Sequence, residues 1–270
     1  MQEEFQARVR VTVENGIADV VMIRTDRHNG MDEPMLKAML AAQRALRRRR
    51  DVRAAIVRGD GPSFCAGLDV KAMLGKPSIA ARLYLQLWLP FRNAFQRFGL
   101  GWRDMPFPVI AAVHGNCFGA GMQLALAADI RIARGDAALS IMEGKWGLVP
   151  DMGGIALLRE LLPIDIAREL TYTARVLRGS EAQALGLVTH LADDPVAAAR
   201  TLAAEFATRS PDALAAGKFL LQGGWSVSES RTLALERRWQ RRIIGKTNQR
   251  IAAARNQGRP DAAYAPRRFR

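Results

Sequence analysis

Two short stretches of this chain join glycine to a helix start, a combination that leaves backbone N–H groups bare. The first is PVIAAVHGNCFGAGMQLALAADIRIAR, residues 108–134, where an apolar run meets a turn holding Gly115, Gly119 and Gly121. A strand that passes into a helix start exposes N–H groups without intrahelical acceptors. Such groups hold either a phosphate or the oxygen of a reacting carbonyl. The spacing of these glycines does not fit G-x-G-x-x-G, and no Lys-Ser/Thr follows, so neither nucleotide loop is present. The glycines of one turn can serve only a tight crossing. A second loop changes the balance: in FCAGLDVK, Ala66-Gly67 precedes Leu68 and another helix start. Two such loops can aim two N–H donors at one oxygen, which is an oxyanion hole for charge developing on a carbonyl.

The elements that would carry these loops alternate between strand and helix. RVRVTVENGIADVVMIR contains two β-rich runs around Asn15-Gly16, a strong hairpin signal. A helix is predicted from about Glu33 to Arg50, with Leu36, Met39, Leu40 and Leu46 at helical spacing. RAAIVRG then reads as a strand, MPFPVIAAVHG as a buried strand, and ADIRIARGDAALSI as two short ones. Residues 83–98 are predicted helical, with Tyr84, Trp88, Phe91, Phe95 and Phe98 assigned mainly to the core or else to a pocket wall. GGIALLRELLP is a helix stopped by Pro163, and Ser180 is a candidate N-cap for the next segment. From about Pro195 the pattern is almost wholly helical, followed by an Arg-rich tail that is either loose or a packing arm. The result is an α/β body with a helical C-terminal part.

Composition removes several function classes. With 49% apolar residues in 270, the chain buries a large core. No run of about 18 uncharged apolar residues occurs, so no membrane span is expected. The start, MQEEFQARVRVTV, has acids where a signal peptide has a basic region. Two cysteines, Cys65 and Cys117, make no disulfide framework, so a reducing, cytoplasmic setting is expected. The three histidines show no zinc-type spacing, and no metal is expected. Forty Lys and Arg against 26 Asp and Glu give +14, which suits an anionic partner such as a phosphorylated small molecule or a nucleic acid. The densest cluster, Arg47–Arg50, reads as a solvated helix end; it lacks the interleaved aromatics of a nucleic-acid surface.

FCAGLDVK, AAVHGNCFGAGMQLALAADIRIA and EGKWGLVPDMGG, in this order, resemble the crotonase superfamily, the enoyl-CoA hydratase/isomerase family. The early RTDRHNGMD loop, EAQALGLV and the basic helical tail extend the resemblance over nearly the whole chain. It implies a spiral of ββα repeats over residues 1–195 and a helical oligomerisation region over 196–270, with a homotrimer or hexamer as the assembly. It also implies an acyl-CoA thioester substrate, coenzyme A entering as part of that substrate and no separate cofactor. Leu68, after the Ala-Gly pair, and Ala120, in the middle of the glycine triplet, become the oxyanion donors, with Ala66 and Gly119 beside them in the substrate site. The family usually has glycine where this chain has Ala120. The nucleotide end of CoA falls to Arg27, His28, Asp69, Val70 and Lys71, with Arg24 a weaker candidate.

Hydratases of the family use two glutamates. One falls on Glu143; the other falls on Gln123, which can hold a water or a neighbour but takes up no proton at neutral pH. Ile141, Met142 and Trp146 surround Glu143 in sequence, and apolar packing would raise its pKa, as suits a general base. Asp151 stands where dienoyl-CoA isomerases carry a second acid/base and 4-chlorobenzoyl-CoA dehalogenases a nucleophile; it is equally placed to cap the helix of GGIALLREL. The implied activity is enoyl-CoA hydration or double-bond isomerisation. The alternative is a non-catalytic or RNA-binding homologue, which Glu143 and the two intact loops weigh against.

Overall fold

The computed structural model of the chain describes residues 2–74, 81, 84–88 and 90–269. Strands Gln2–Phe5 (β1), Val9–Glu14 (β2) and Ile17–Met22 (β3) form an antiparallel meander. The β2–β3 turn is the Asn15-Gly16 pair, with φ of 50° and 77°, so the hairpin signal is met by a turn with both central residues left-handed. The sheet continues in parallel through Ala54–Gly59 (β4), Val109–Val113 (β5), Ile130–Ala133 (β7) and His190–Leu191 (β10). A second sheet joins Asn116–Phe118 (β6), Ala138–Ser140 (β8) and Leu177–Arg178 (β9). Each turn of the spiral places one strand in the large sheet and the next in the small one: β5 then β6, β7 then β8.

The central strand β5 is apolar throughout because both its faces are covered. Along β5, Val109, Ala111 and Val113 face the main core, while Ile110 and Ala112 face the opposite side. That opposite side is closed by Ala199 and Ala203, one helical turn apart on Pro195–Ala207. The boundary expected at residue 195 therefore falls at the first turn of a helix that belongs to the sheet. On the core side lies helix Glu33–Arg48 (α1), whose Asp32 N-cap accepts from the Met35 N–H at 2.8 Å. Its buried stripe is Met35, Met39, Ala42 and Leu46.

Several sequence expectations change. The predicted helix over 83–98 is broken: residues 84–85 are helical and Gln86–Trp88 form a 3-10 turn, and a separate helix, Ala94–Arg103 (α3), starts where Asn93 and Gln96 form a reciprocal capping box. Leu83 and Leu89 lie outside the described residues. Of the aromatics assigned mainly to the core, only Phe98 is fully buried; Tyr84, Trp88 and Phe91 are 59%, 73% and 74% exposed. Ser180 is no N-cap, since its helix, Gly179–Ala184, starts one residue earlier after Arg178. The C-terminal tail is a packing arm. The Arg267 guanidinium donates to the carbonyls of Arg49 and Pro106, and its backbone N–H to that of Arg50. Burial pushes this guanidinium down to about 10. The Arg47–Arg50 cluster is thus the end of α1 on which the arm closes, with Arg49 paired to Asp51.

Candidate active site

The two glycine loops lie side by side. Cys65 and Cys117 face each other in a parallel bridge, with the Cys65 N–H donating to Asn116 O at 2.9 Å and the Phe118 N–H to Cys65 O at 3.0 Å. Three residues further along each segment stand Leu68 and Ala120, so the pairing carries both N–H groups to the same end of the ladder. Ala120 opens helix Ala120–Leu126 (α4), where an N–H has no intrahelical acceptor. Beside Leu68, the Met31 N–H donates to Gly67 O and the Asp69 N–H to Met31 O; among the described residues, the Leu68 N–H finds no acceptor. Ala120 needs no positive φ, so the alanine in place of the family's glycine keeps its donor without backbone strain. Gly121 is different: a Cβ there would lie 2.4 Å from Cys65 O and push the loops apart. Burial pushes the Cys65 thiol up to about 11, which leaves it inert between the loops.

A cavity of about 410 Å³ opens at this point, lined by Ala66, Leu68, Val70, Gly119, Ala120, Glu143 and Asp151 together with apolar side chains. Glu143 begins the short turn Glu143–Trp146 and is partly buried. A Cβ on Gly119 would stand 3.3 Å from Glu143 Oε1, so the carboxylate lies against the residue preceding the Ala120 donor. Its other oxygen, Oε2, is buried without a hydrogen-bond partner. Burial raises the Glu143 pKa, with the Asp151 charge adding to the rise; its own backbone N–H and the Gln123 amide oppose it. Asp151 reaches solvent at the cavity wall, where partial burial raises its pKa too.

Gln123 does not reach the cavity. It is 1% exposed, and its Oε1 accepts from the N–H groups of Met152 and Gly154, each at 2.9 Å. Its Nε2 donates to Glu143 Oε1 at 2.6 Å. Of the two uses open to this amide in the sequence, it therefore holds a neighbour; its oxygen is not free for a water. The same bonds correct the reading of Asp151 as a helix cap. The helix Gly154–Leu158 (α5) has Gly153 as its N-cap, with no side-chain capping bond from that residue, and Gln123 Oε1 takes the Gly154 N–H.

The early loop meets the Ala-Gly segment through its backbone: the Ala66 N–H donates to His28 O at 2.9 Å. His28 is exposed, with φ of 48°, and its Nδ1 lies 2.9 Å from Ser63 Oγ. Arg27 and Lys71 are exposed, outside the cavity lining. Arg24 is 12% exposed and committed, pairing with Asp32 and Asp69 and donating to Gly30 O. Asp69 caps helix Val70–Leu74 (α2) by accepting from the Ala72 N–H at 3.0 Å. Burial would raise its pKa, but that N–H and the Arg24 guanidinium outweigh burial and hold it below the ordinary carboxylate range. Leu87 and Phe95, from the stretch expected to be core or pocket wall, line the cavity; the sequence offered no sign of Leu148, Val149 and Met152 as walls beyond their proximity to Asp151.

The enoyl-CoA hydratase/isomerase family model matches residues 12–258. The chain belongs to the enoyl-CoA hydratase/isomerase family. The mouse mitochondrial methylglutaconyl-CoA hydratase is 31% identical over 242 residues, covering 87% of this chain and 75% of the relative. The human mitochondrial Delta(3,5)-Delta(2,4)-dienoyl-CoA isomerase is 32% identical over 234 residues, covering 82% and 71%. The crystal structure of an enoyl-CoA hydratase from Polaromonas sp. JS666 superposes with a TM-score of 0.86 at 28% identity, covering 96% of this chain and 100% of that one. The crotonase fold and a hydratase/isomerase-type enzyme follow from these likenesses. Among the described residues, no helix is long and apolar enough to cross a membrane.

Proposed function

We propose that this enzyme moves protons on carbons next to the thioester carbonyl of an enoyl-CoA, and that it shifts the double bond in preference to adding water. The observation that carries this is the position of Glu143. Its carboxylate lies against Gly119, beside the Ala120 N–H, with one oxygen unpartnered. In this reading Glu143 removes a proton from the acyl chain. The electron pair passes into the thioester as an enolate, whose oxygen takes hydrogen bonds from the Leu68 and Ala120 N–H groups. Glu143 then returns the proton to a different carbon, with Asp151 assisting from the cavity wall, which completes the shift and regenerates the carboxylate, and no water or co-reactant is consumed. One oxyanion donor contributes about 10²–10³ in rate. Hydration needs a water held by a second acid, and the Gln123 oxygen is already engaged by two backbone N–H groups.

The exposed Arg27 and Lys71 are the proposed contacts of the CoA phosphates. We further assign residues 1–195 to the catalytic spiral and 196–270, apart from the helix Pro195–Ala207 that closes the sheet, to self-association as a trimer or hexamer. Exposed Leu221 and Trp225 and the groove lined by Leu220, Trp239 and Ile243 support that assembly. The free, buried Cys65 and Cys117 fit a reducing compartment, the cytoplasm in this reading. The deciding experiment is a product assay over 2-enoyl-, 3-enoyl- and conjugated dienoyl-CoA substrates that scores isomers and hydroxyacyl products separately. Isomerisation faster than hydration supports the proposal; hydration as the faster reaction on every substrate overturns it.

A further inference from the structure

Gln123 sits behind the proposed base and makes three hydrogen bonds whose directions are not interchangeable. The N–H groups of Met152 and Gly154 both point at one end of its amide. Backbone N–H groups only donate, so that end is the oxygen. The end facing Glu143 is therefore the NH2, and it lies 2.6 Å from Oε1. The backbone of the turn before α5 thus dictates that Glu143 meets a donor on Oε1, while Oε2 is buried without a partner. The amide cannot flip without stranding two buried N–H groups.

We propose that Gln123 is a positioning residue: anchored by Met152 and Gly154, it holds the Glu143 carboxylate as an anion in one fixed orientation beside Gly119, at the cavity wall. This inference rests on the role of Glu143 proposed above. The surroundings agree with it. Helix α4 carries no charged side chain, and neither does α5. Helix Ile164–Thr173 (α6), packed on the Glu143 turn, brings Asp165, Arg168 and Glu169, none of which bonds to Glu143; Glu169 is paired with Arg175. Lys145 lies exposed on the turn itself. Among the described residues Asp151 is the charge that acts on Glu143, and it opposes ionisation, while the Gln123 amide favours it.

The test is Gln123→Glu, which keeps an oxygen for the Met152 and Gly154 N–H groups and so preserves the turn. It also sets a second carboxylate against Oε1, and two carboxylates at that separation share one proton. The expected result is an acid limb of the kcat–pH profile moved up by about one unit or more, so that kcat below the limb falls about tenfold while KM stays within about twofold. Gln123→Met removes the donor altogether and is expected to move the limb the same way, with a lower Tm from the two unsatisfied N–H groups. It serves as well if the glutamate variant does not fold. An unmoved limb in a folded variant overturns the inference. A Glu143→Gln enzyme of full activity overturns both this inference and the proposed base. Inactive Glu143→Gln beside an unmoved limb in the Gln123 variants removes the positioning role alone.

Discussion

Replacing Glu143 by Gln separates catalysis from folding at this site. The variant's amide oxygen can take the place of Oε1 and accept from Gln123 Nε2, so the 2.6 Å contact survives. Its NH2 then occupies the place of Oε2, which has no partner in the wild-type protein. The amide can no longer take up a proton from the substrate. General acid–base catalysis is worth about 10²–10⁴ in rate, or about 3–5 kcal/mol of barrier at 1.36 kcal/mol per decade. Stability should move the other way. The folded pKa of Glu143 is raised, chiefly by burial, so the native state binds its proton more tightly than the unfolded chain does. Stability from this group is therefore greatest in acid. It declines as pH rises from the ordinary carboxylate value through the folded one, and at neutral pH the anion is a net cost. A neutral amide removes that cost, so the Tm of Glu143→Gln at pH 7 should equal or exceed that of the wild type. The assay combines turnover on the best enoyl-CoA, calorimetric affinity for a CoA thioester and a thermal melt. Expected are a kcat lower by about 10²–10⁴, an affinity within a few-fold and an undiminished Tm. Turnover above a tenth of the wild-type rate would refute the reasoning and make Asp151 the leading acid/base or nucleophile.

Asp151→Asn should lower isomerisation with Tm unchanged, because α5 takes its capping bond from Gln123; a loss of about 1 kcal/mol of stability with normal activity would restore the capping role. Arg27→Ala or Lys71→Ala should each weaken binding of CoA thioesters by about 1.5–3 kcal/mol, the worth of a hydrogen bond to a charged group, while sparing thioesters that lack the nucleotide; equal effects on both would remove these residues from the phosphate site. Arg24→Ala should instead lower the Tm, since it takes the guanidinium from Asp69 and leaves Asp32 with Arg8 alone. Light scattering at micromolar concentration should report a trimer or hexamer, and a monomer would remove the self-association assigned to the C-terminal helices.

Patterns of short range were legible in the chain itself. Asn15-Gly16 declares its hairpin because few residue pairs accept two left-handed conformations, and Leu36, Met39, Leu40 and Leu46 at helical spacing declare α1. The two glycine loops could be seen to leave N–H groups bare, since that depends on local backbone alone. Tertiary structure decided what those groups face. That Cys65 pairs with Cys117, bringing Leu68 level with Ala120, is a contact between segments about fifty residues apart. The orientation of Gln123 could not be read from its position, because the N–H groups that fix its amide belong to Met152 and Gly154, on another element. For the same reason Asp151 looked like a helix cap: the cap came from a side chain distant in sequence. The aromatics of 84–91 misled because an apolar side chain looks alike in sequence whether it fills a core or rims a surface. Composition records which side chains favour burial, and only the fold decides how many it can cover.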